Sequence, residues 1–213
     1  MNRRDFATRL GLAGTAAFVS PQVLAQGAPA EGRDYVRLPQ PAPVAAPAGK
    51  VEVVEFFGYW CPHCNAFEPM LEAWVKRLPA HVAFRRVPVA FRADHEFHQK
   101  LFFSLEAMGQ FEAVHRKVFT AIHVQKVRFD KDADVIAWAT ANGVDGAKFT
   151  ENYKSFTVQT KIRQAKQLAE AYKIDGVPTL GIHGRFFTSP SLTNSAERAL
   201  QVTEQLIERS RKG

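Results

Sequence analysis

The run Val51-Glu52-Val53-Val54-Glu55-Phe56-Phe57 is almost continuously apolar and rich in β-branched and aromatic residues. That pattern predicts a strand covered on both faces. Gly58 ends it, and the apolar spacing then lengthens. Cys64, Phe67, Leu71, Trp74, Val75 and Leu78 recur at three and four residues, which predicts a helix with one face packed inward. Pro62 suits the first helical turn, where its missing N–H is not needed. Pro69 should kink the helix, and Pro79 helps to end it. Val82-Ala83-Phe84-Arg85-Arg86-Val87 reads as the next strand. Strand, helix, strand predicts a parallel pair joined by a right-handed crossover.

From Asp94 to about Tyr172 the pattern is helical throughout. Phe97, Leu101, Leu105 and Met108 form one set, followed by Phe111, Val114 and Val118, then Val135, Ile136 and Trp138. A long stretch through Ile162, Leu168 and Ala169 closes the series, and Gly109 and Asn142-Gly143 punctuate it. This segment is expected to be a helical subdomain inserted between two parts of an α/β domain. Strand character returns over Gly176–Ile182. His183-Gly184 makes a tight turn and Arg185–Thr188 runs back as a hairpin. Asn194 is expected to cap the last helix, with Glu197 as its capping-box partner and Leu200, Leu206 and Ile207 on the buried face.

Ahead of all this, residues 26–49 are rich in Ala and Pro and read as an extended lead-in, in which Tyr35–Leu38 can pair as a short edge strand. Residues 1–25 read as an export signal. Arg3 and Arg4 give a basic start, Leu10–Val19 a short apolar stretch, and Val23-Leu24-Ala25 a small-x-small cleavage site. Asn2-Arg3-Arg4-Asp5-Phe6 also resembles a twin-arginine signal, so both that route and ordinary Sec secretion stay open. Either one places the mature chain outside the bacterial cytoplasm, where disulfides persist. The expected organisation is signal 1–25, lead-in 26–49, α/β part 50–93, helical insertion and connecting helix 94–172, and α/β part 173–213.

Composition bounds this picture. The 213 residues are 46% hydrophobic with 17 Phe and 3 Trp, enough for one domain with a sizeable core. The net charge of +7 falls by two on removal of residues 1–25, which hold Arg3, Arg4 and Arg9 against Asp5. Basic residues are spread along the chain with acids interleaved, and export removes the usual partner, so a nucleic-acid function is not expected.

The chain has only two cysteines, in Cys61-Pro62-His63-Cys64. Two thiols on one helical turn can close and reopen a small disulfide ring, and in an α/β setting this reads as a redox pair. Cys61 falls at a strand-to-helix junction, where partial positive charge and free N–H groups favour a thiolate. His63 adds positive charge when protonated. Cys64, one turn in and on the packing face, is the shielded resolving partner, and Cys61 the exposed, attacked sulfur. Two other readings compete. A ring this small constrains little of the unfolded chain and is a poor structural staple. Half a zinc site lacks a second cysteine pair.

Glu55–Cys64, read together with Gly176-Val177-Pro178, resembles the DsbA family of bacterial periplasmic thiol:disulfide oxidases. The likeness covers the chain from about Asp34. A low-pKa cysteine and an oxidising disulfide are known of that family. The resemblance implies a thioredoxin fold with an inserted helical subdomain. It implies introduction of disulfides into reduced, unfolded exported proteins in the periplasm, by a monomer with no metal and no cofactor beyond the Cys61–Cys64 disulfide. It also implies re-oxidation by a DsbB-type, quinone-linked membrane protein. Val177–Pro178 is implied to be a cis peptide at the substrate-binding edge, with Trp60 as packing and substrate surface and Pro69 as structure only. Glu55 stays open between a buried carboxyl that exchanges a proton with the inner cysteine and a partly solvated strand-end acid. His95 and His98 are expected to be a polar surface pair rather than metal ligands. His81, His115, His123 and His183 carry no site signal. A disulfide isomerase or reductase remains an alternative, although residues 26–49 are too short for the dimerisation domain of the DsbC type. A non-catalytic thiol protein, either a metal chaperone or a peptide-binding module, is the other.

Overall fold

A computed structural model describes residues 27–212, so the expected export signal lies outside the described residues. Five strands are described: β1 (Val36–Arg37), β2 (Val51–Phe57), β3 (Val82–Pro88), β4 (Thr179–Ile182) and β5 (Phe186–Thr188). They form one mixed sheet in the order β1-β5-β4-β2-β3. β2 is buried at every residue, runs parallel to β3 with Glu55 opposite Arg86, and antiparallel to β4 with Glu55 opposite Leu180. The lead-in contributes β1 to the edge, where Val36 pairs with Phe187. The β4–β5 connection holds His183 and Gly184 at φ 48° and 65°, the left-handed pair of a tight turn closed by Arg185 N donating to the Ile182 carbonyl at 2.9 Å. A Cβ on Gly184 would collide with the Ala42 carbonyl, so both conformation and space require glycine there.

The helices are α1 (Pro62–Val75), α2 (Glu96–Ala107), α3 (Phe111–His123), α4 (Asp132–Ala141), α5 (Gly146–Tyr153), α6 (Phe156–Ala171), α7 (Pro190–Thr193) and α8 (Ala196–Arg211). Helices α2 to α6 stand between β3 and β4 in sequence, and α2 packs against the other four. This is the thioredoxin-like α/β fold with a helical insertion.

The alternation of β2 feeds two cores. Val51 and Val53 join Phe67, Leu71, Trp74, Leu180, Leu206 and Ile207 on the α1–α8 side. Val54 and Phe56 join Leu101, Leu105, Val118, Phe149 and Tyr172 on the side of the insertion, and this second core also contains Cys61 and Cys64.

Two local expectations fail. Asn194 does not cap the last helix. Residues 190–193 form the separate helix α7, capped by Ser189, and Asn194 ends it in the left-handed conformation at φ 55°. Ser195 is the cap of α8, and its Oγ accepts from Arg198 N at 3.2 Å. Glu197 then stands one residue too early for a capping box. Helix α1 also stops at Val75, so Leu78 continues the apolar spacing but not the helix.

Candidate active site

Cys61 is the N-cap of α1, with extended backbone at φ −86°, and its Sγ accepts the Cys64 N–H at 3.4 Å. Pro62 occupies the first turn, so it brings no N–H to compete for the sulfur. A thiolate here receives a charge-assisted hydrogen bond at the positive end of a helix. Hydrogen bonding from the Cys64 side chain does most to lower the Cys61 pKa, to about 6. Burial opposes it, and the Cys64 and His63 backbone N–H groups and the His63 charge assist. Burial drives the Cys64 pKa far above the ordinary thiol range, and the Cys61 sulfur beside it pushes the same way. The two thiols are unbridged in this structure.

Cys64 is fully buried, as its place on the packing face predicts. Cys61, however, is only 3% exposed rather than an open sulfur. The Val177 carbonyl covers it, accepting from Sγ at 3.3 Å. The Val177–Pro178 peptide is cis, Pro178 is buried, and Val177 is half-buried. Pro62 and His63 are exposed. His63, Ala66, Phe67, Pro178 and Pro190 line a surface groove of about 370 Å³.

Trp60 is half-buried. Its indole folds back over Gly58, where a Cβ would collide with it, and Nε1 donates to the Val89 carbonyl at 3.3 Å. Its ring stacks on His95 at 4.0 Å and meets the 43%-exposed Phe91 edge-on. His95 is therefore not half of a polar surface pair. It is buried, with Nδ1 accepting from Phe91 N, and its partner His98 is mostly covered against Phe129. No cluster of metal-ligating side chains is present among the described residues.

Glu55 is fully buried, which closes the question the sequence left open about its exposure. Burial, and then the charge of Glu68, raise its pKa to about 8, against the pull of Arg86. The Arg86 Nε lies 3.0 Å from Glu55 Oε2, but off the line of a hydrogen bond. The same guanidinium donates through Nη2 to Glu68 Oε1 at 2.5 Å. Sequence reasoning missed Glu68, Arg86 and His115. Glu68 reads as an ordinary helical glutamate, and its partners come from β3 and α3. The one signal available was its spacing from Cys64 and Leu71, which puts it at the rim of the inward face of α1.

The arrangement is a thiol of lowered pKa at a helix N-terminus, a shielded second thiol one turn further in, the Val177 carbonyl that precedes the cis proline across from it, and a buried carboxyl of raised pKa. Comparison with known proteins agrees with the geometry. A family model described as DSBA-like thioredoxin domain matches residues 83–200, and a thioredoxin model matches residues 43–100. The thiol:disulfide interchange protein DsbA of Burkholderia cepacia is 46% identical over 201 residues, covering 93% of this chain and 91% of its own length. Its namesake from Bordetella pertussis is 46% identical and covers 93% of each chain. The crystal structure of Pseudomonas aeruginosa DsbA matches with a TM-score of 0.82 at 39% identity, over 85% of this chain and 94% of that one.

Proposed function

The chain belongs to the DsbA family of thiol:disulfide interchange proteins, and on that premise we propose that Cys61 exchanges disulfides with reduced exported proteins while Cys64 is the shielded sulfur that leaves. The protein is an oxidoreductase that forms disulfides in such proteins. In its oxidised form, a substrate thiolate attacks Cys61 Sγ. The Cys61–Cys64 bond breaks, Cys64 leaves as a thiolate and takes up a proton, and a mixed disulfide joins substrate to Cys61. A second substrate thiol loses its proton and attacks the substrate sulfur of that bond, so Cys61 leaves as a thiolate. The substrate gains one disulfide and gives up two electrons, which the cysteine pair holds as a dithiol.

The observation that carries this division of labour is the N-cap position of the Cys61 sulfur, accepting the Cys64 N–H. It stabilises Cys61 as a leaving thiolate. The better that thiolate is stabilised, the more oxidising the disulfide. Pro62 keeps the helix end clear, and His63 adds charge from the solvent side. The cis Val177–Pro178 edge presents backbone to an extended substrate segment beside Cys61, with Trp60 as a flanking apolar surface. Glu55 supplies the proton that Cys64 needs when it leaves, and recovers it when the pair is re-oxidised. Residues 1–25 direct export, the mature chain works in the periplasm as a monomer, and a DsbB-type, quinone-linked membrane protein returns the pair to the disulfide.

The test is oxidation of a reduced, unfolded protein by one equivalent of the oxidised chain, followed by thiol titration. The parent is expected to transfer one disulfide per molecule and Cys61→Ala none. Equal behaviour of the two overturns the proposal. A reduction potential near that of cytoplasmic reductants would instead assign the pair to reduction.

A further inference from the structure

The Glu55 charge acts on Cys64, and Glu55 belongs to a chain of polar side chains drawn from separate elements and largely closed off from solvent: Glu55 on β2, Arg86 on β3, Glu68 on α1, His115 on α3, and Tyr59 just after β2. Glu55, Glu68 and Tyr59 are fully buried and His115 is 2% exposed. Glu68 Oε1 takes the Arg86 guanidinium on one side and faces His115 Nε2 at 3.3 Å on the other. The far nitrogen of that ring, Nδ1, is 2.8 Å from Tyr59 Oη. The arrangement is short of partners. Both Glu55 oxygens, Glu68 Oε2, Arg86 Nε and His115 Nε2 lack a well-aligned hydrogen bond among the described residues.

Charge counting explains the shortage. Two carboxylates face one guanidinium, so ionising both leaves an uncompensated buried anion, which is costly. Burial lowers the His115 pKa, so the ring is neutral and one nitrogen carries its proton. The Glu68 carboxylate beside Nε2 decides which. With the proton on Nε2, 3.3 Å from Glu68 Oε1 though off the line of a hydrogen bond, Tyr59 Oη donates to Nδ1 and holds the ring in that tautomer. The other tautomer would set a lone pair against the carboxylate. The remaining charged or titratable groups facing the ring are Glu72 on α1 and Arg86 on β3. Glu112 on α3 acts on Tyr59 and Arg86, and Cys61 acts on Glu55.

We propose that His115, oriented by Tyr59, is a positioning residue for disulfide exchange: its Nε2–H shares the charge of Glu68 and so frees Arg86 to hold Glu55 as a carboxylate after that group has protonated Cys64. This rests on the proton-donor role given to Glu55 above. The electron count of the exchange is unchanged. The proton moves from Glu55 to the Cys64 thiolate on reduction and back on re-oxidation. Without the imidazole N–H, both carboxylates compete for one guanidinium, and Glu55 keeps its proton to higher pH.

The experiment follows the Glu55 carboxyl by 13C NMR across pH, together with the pH–rate profile of substrate oxidation. His115→Phe is expected to raise the Glu55 proton affinity about tenfold and to move the rate profile with it. His115→Gln, which can return an N–H to the Nε2 position, is expected to reverse most of that shift. Tyr59→Phe, which frees the tautomer, shifts the affinity about threefold in the same direction and serves as the deciding variant if His115→Phe does not fold. A purely structural role would lower stability without moving the Glu55 titration, and a folded variant with an unmoved titration overturns the inference. Glu55→Gln separates the two proposals. If its rate profile matches the parent while His115→Phe still moves the carboxyl titration, the proton-donor role fails and the coupling stands.

Discussion

Glu52 and Glu55 lie three residues apart on the same buried strand, and the fold treats them in opposite ways. Glu52 is 1% exposed, yet its Oε1 accepts the Ala45 N–H at 2.9 Å and Arg85 Nε at 3.0 Å, while Oε2 takes Arg85 Nη2 at 3.4 Å. It ties the lead-in to the sheet. Glu55 is fully buried, and neither of its oxygens has an aligned hydrogen bond. Its one cation is shared with Glu68. Burial alone therefore does not mark a working acid. An acid whose partners satisfy it has little use for a proton, whereas one left short of partners holds a proton near neutral pH and can pass it on.

Removing each carboxyl should break that contrast in different places, the satisfied one in the level of stability and the unsatisfied one in its pH dependence. Glu52→Ala leaves the Ala45 N–H and a half-covered guanidinium without their acceptor. The expected loss is about 3 kcal/mol, at the low end for a broken buried pair because Arg85 can rehydrate. Urea unfolding measures it, and the pH dependence of disulfide exchange should stay as in the parent. A loss within about 0.5 kcal/mol would mean that Glu52 is no more structural than a surface acid.

Glu55→Gln should act on the slope of stability with pH rather than on its level. The ordinary glutamate pKa of 4.5 is raised to about 8 in the fold. Between those values the folded chain keeps a proton that the unfolded chain has lost. Stability from this group is thus fully present below about pH 4.5 and is lost as pH rises towards about 8, at up to about 1.4 kcal/mol per unit. The Gln variant should lack that slope and be the more stable protein at pH 8. Unfolding curves at pH 5, 6.5 and 8 check this, and parallel slopes in parent and variant would remove the basis for treating Glu55 as unsatisfied.

The sequence distinguishes these two acids poorly, for a physical reason. Val51–Phe57 is legible as a doubly covered strand because the signal is local and hydrophobic, as are the periods of α1 to α4 and α6. The cysteine motif is legible because its chemistry needs only one helical turn. Partnership is not local. Arg85 and Arg86 come from the next strand, the Ala45 N–H from the lead-in, and His115 from α3, so nothing near Glu52 or Glu55 announces them. His95 shows the same limit. Its stack on Trp60 joins residues 35 apart, and the spacing to His98 suggested a surface pair instead. The misplaced cap at Asn194 differs in kind. There a short helix of low apolar content intervened, and one left-handed residue moved the boundary.

The smallest effect tests whether the contrast between satisfied and unsatisfied groups extends to solvent. His63 is exposed, and its charge assists Cys61 less than the hydrogen bonds from Cys64 do. His63→Ser should raise the Cys61 pKa above about 6, by about one unit or less, and make the disulfide less oxidising by about 30 mV or less. The lowered pKa stabilises the reduced fold above the ordinary thiol pKa and ceases to do so as pH falls through about 6, so the variant should lose that support at a higher pH. Because an exposed charge acts across water, the difference between parent and variant should shrink as salt rises from 0.01 M to about 1 M, where the Debye length falls from about 30 Å to about 3 Å. Thiolate absorbance against pH at the two salt levels gives both quantities. The Glu55 titration, shielded from ions by burial, should hardly move over the same range. If the His63 effect proved as salt-independent as that of Glu55, the imidazole would have to act by direct contact with the sulfur instead of by its charge through solvent.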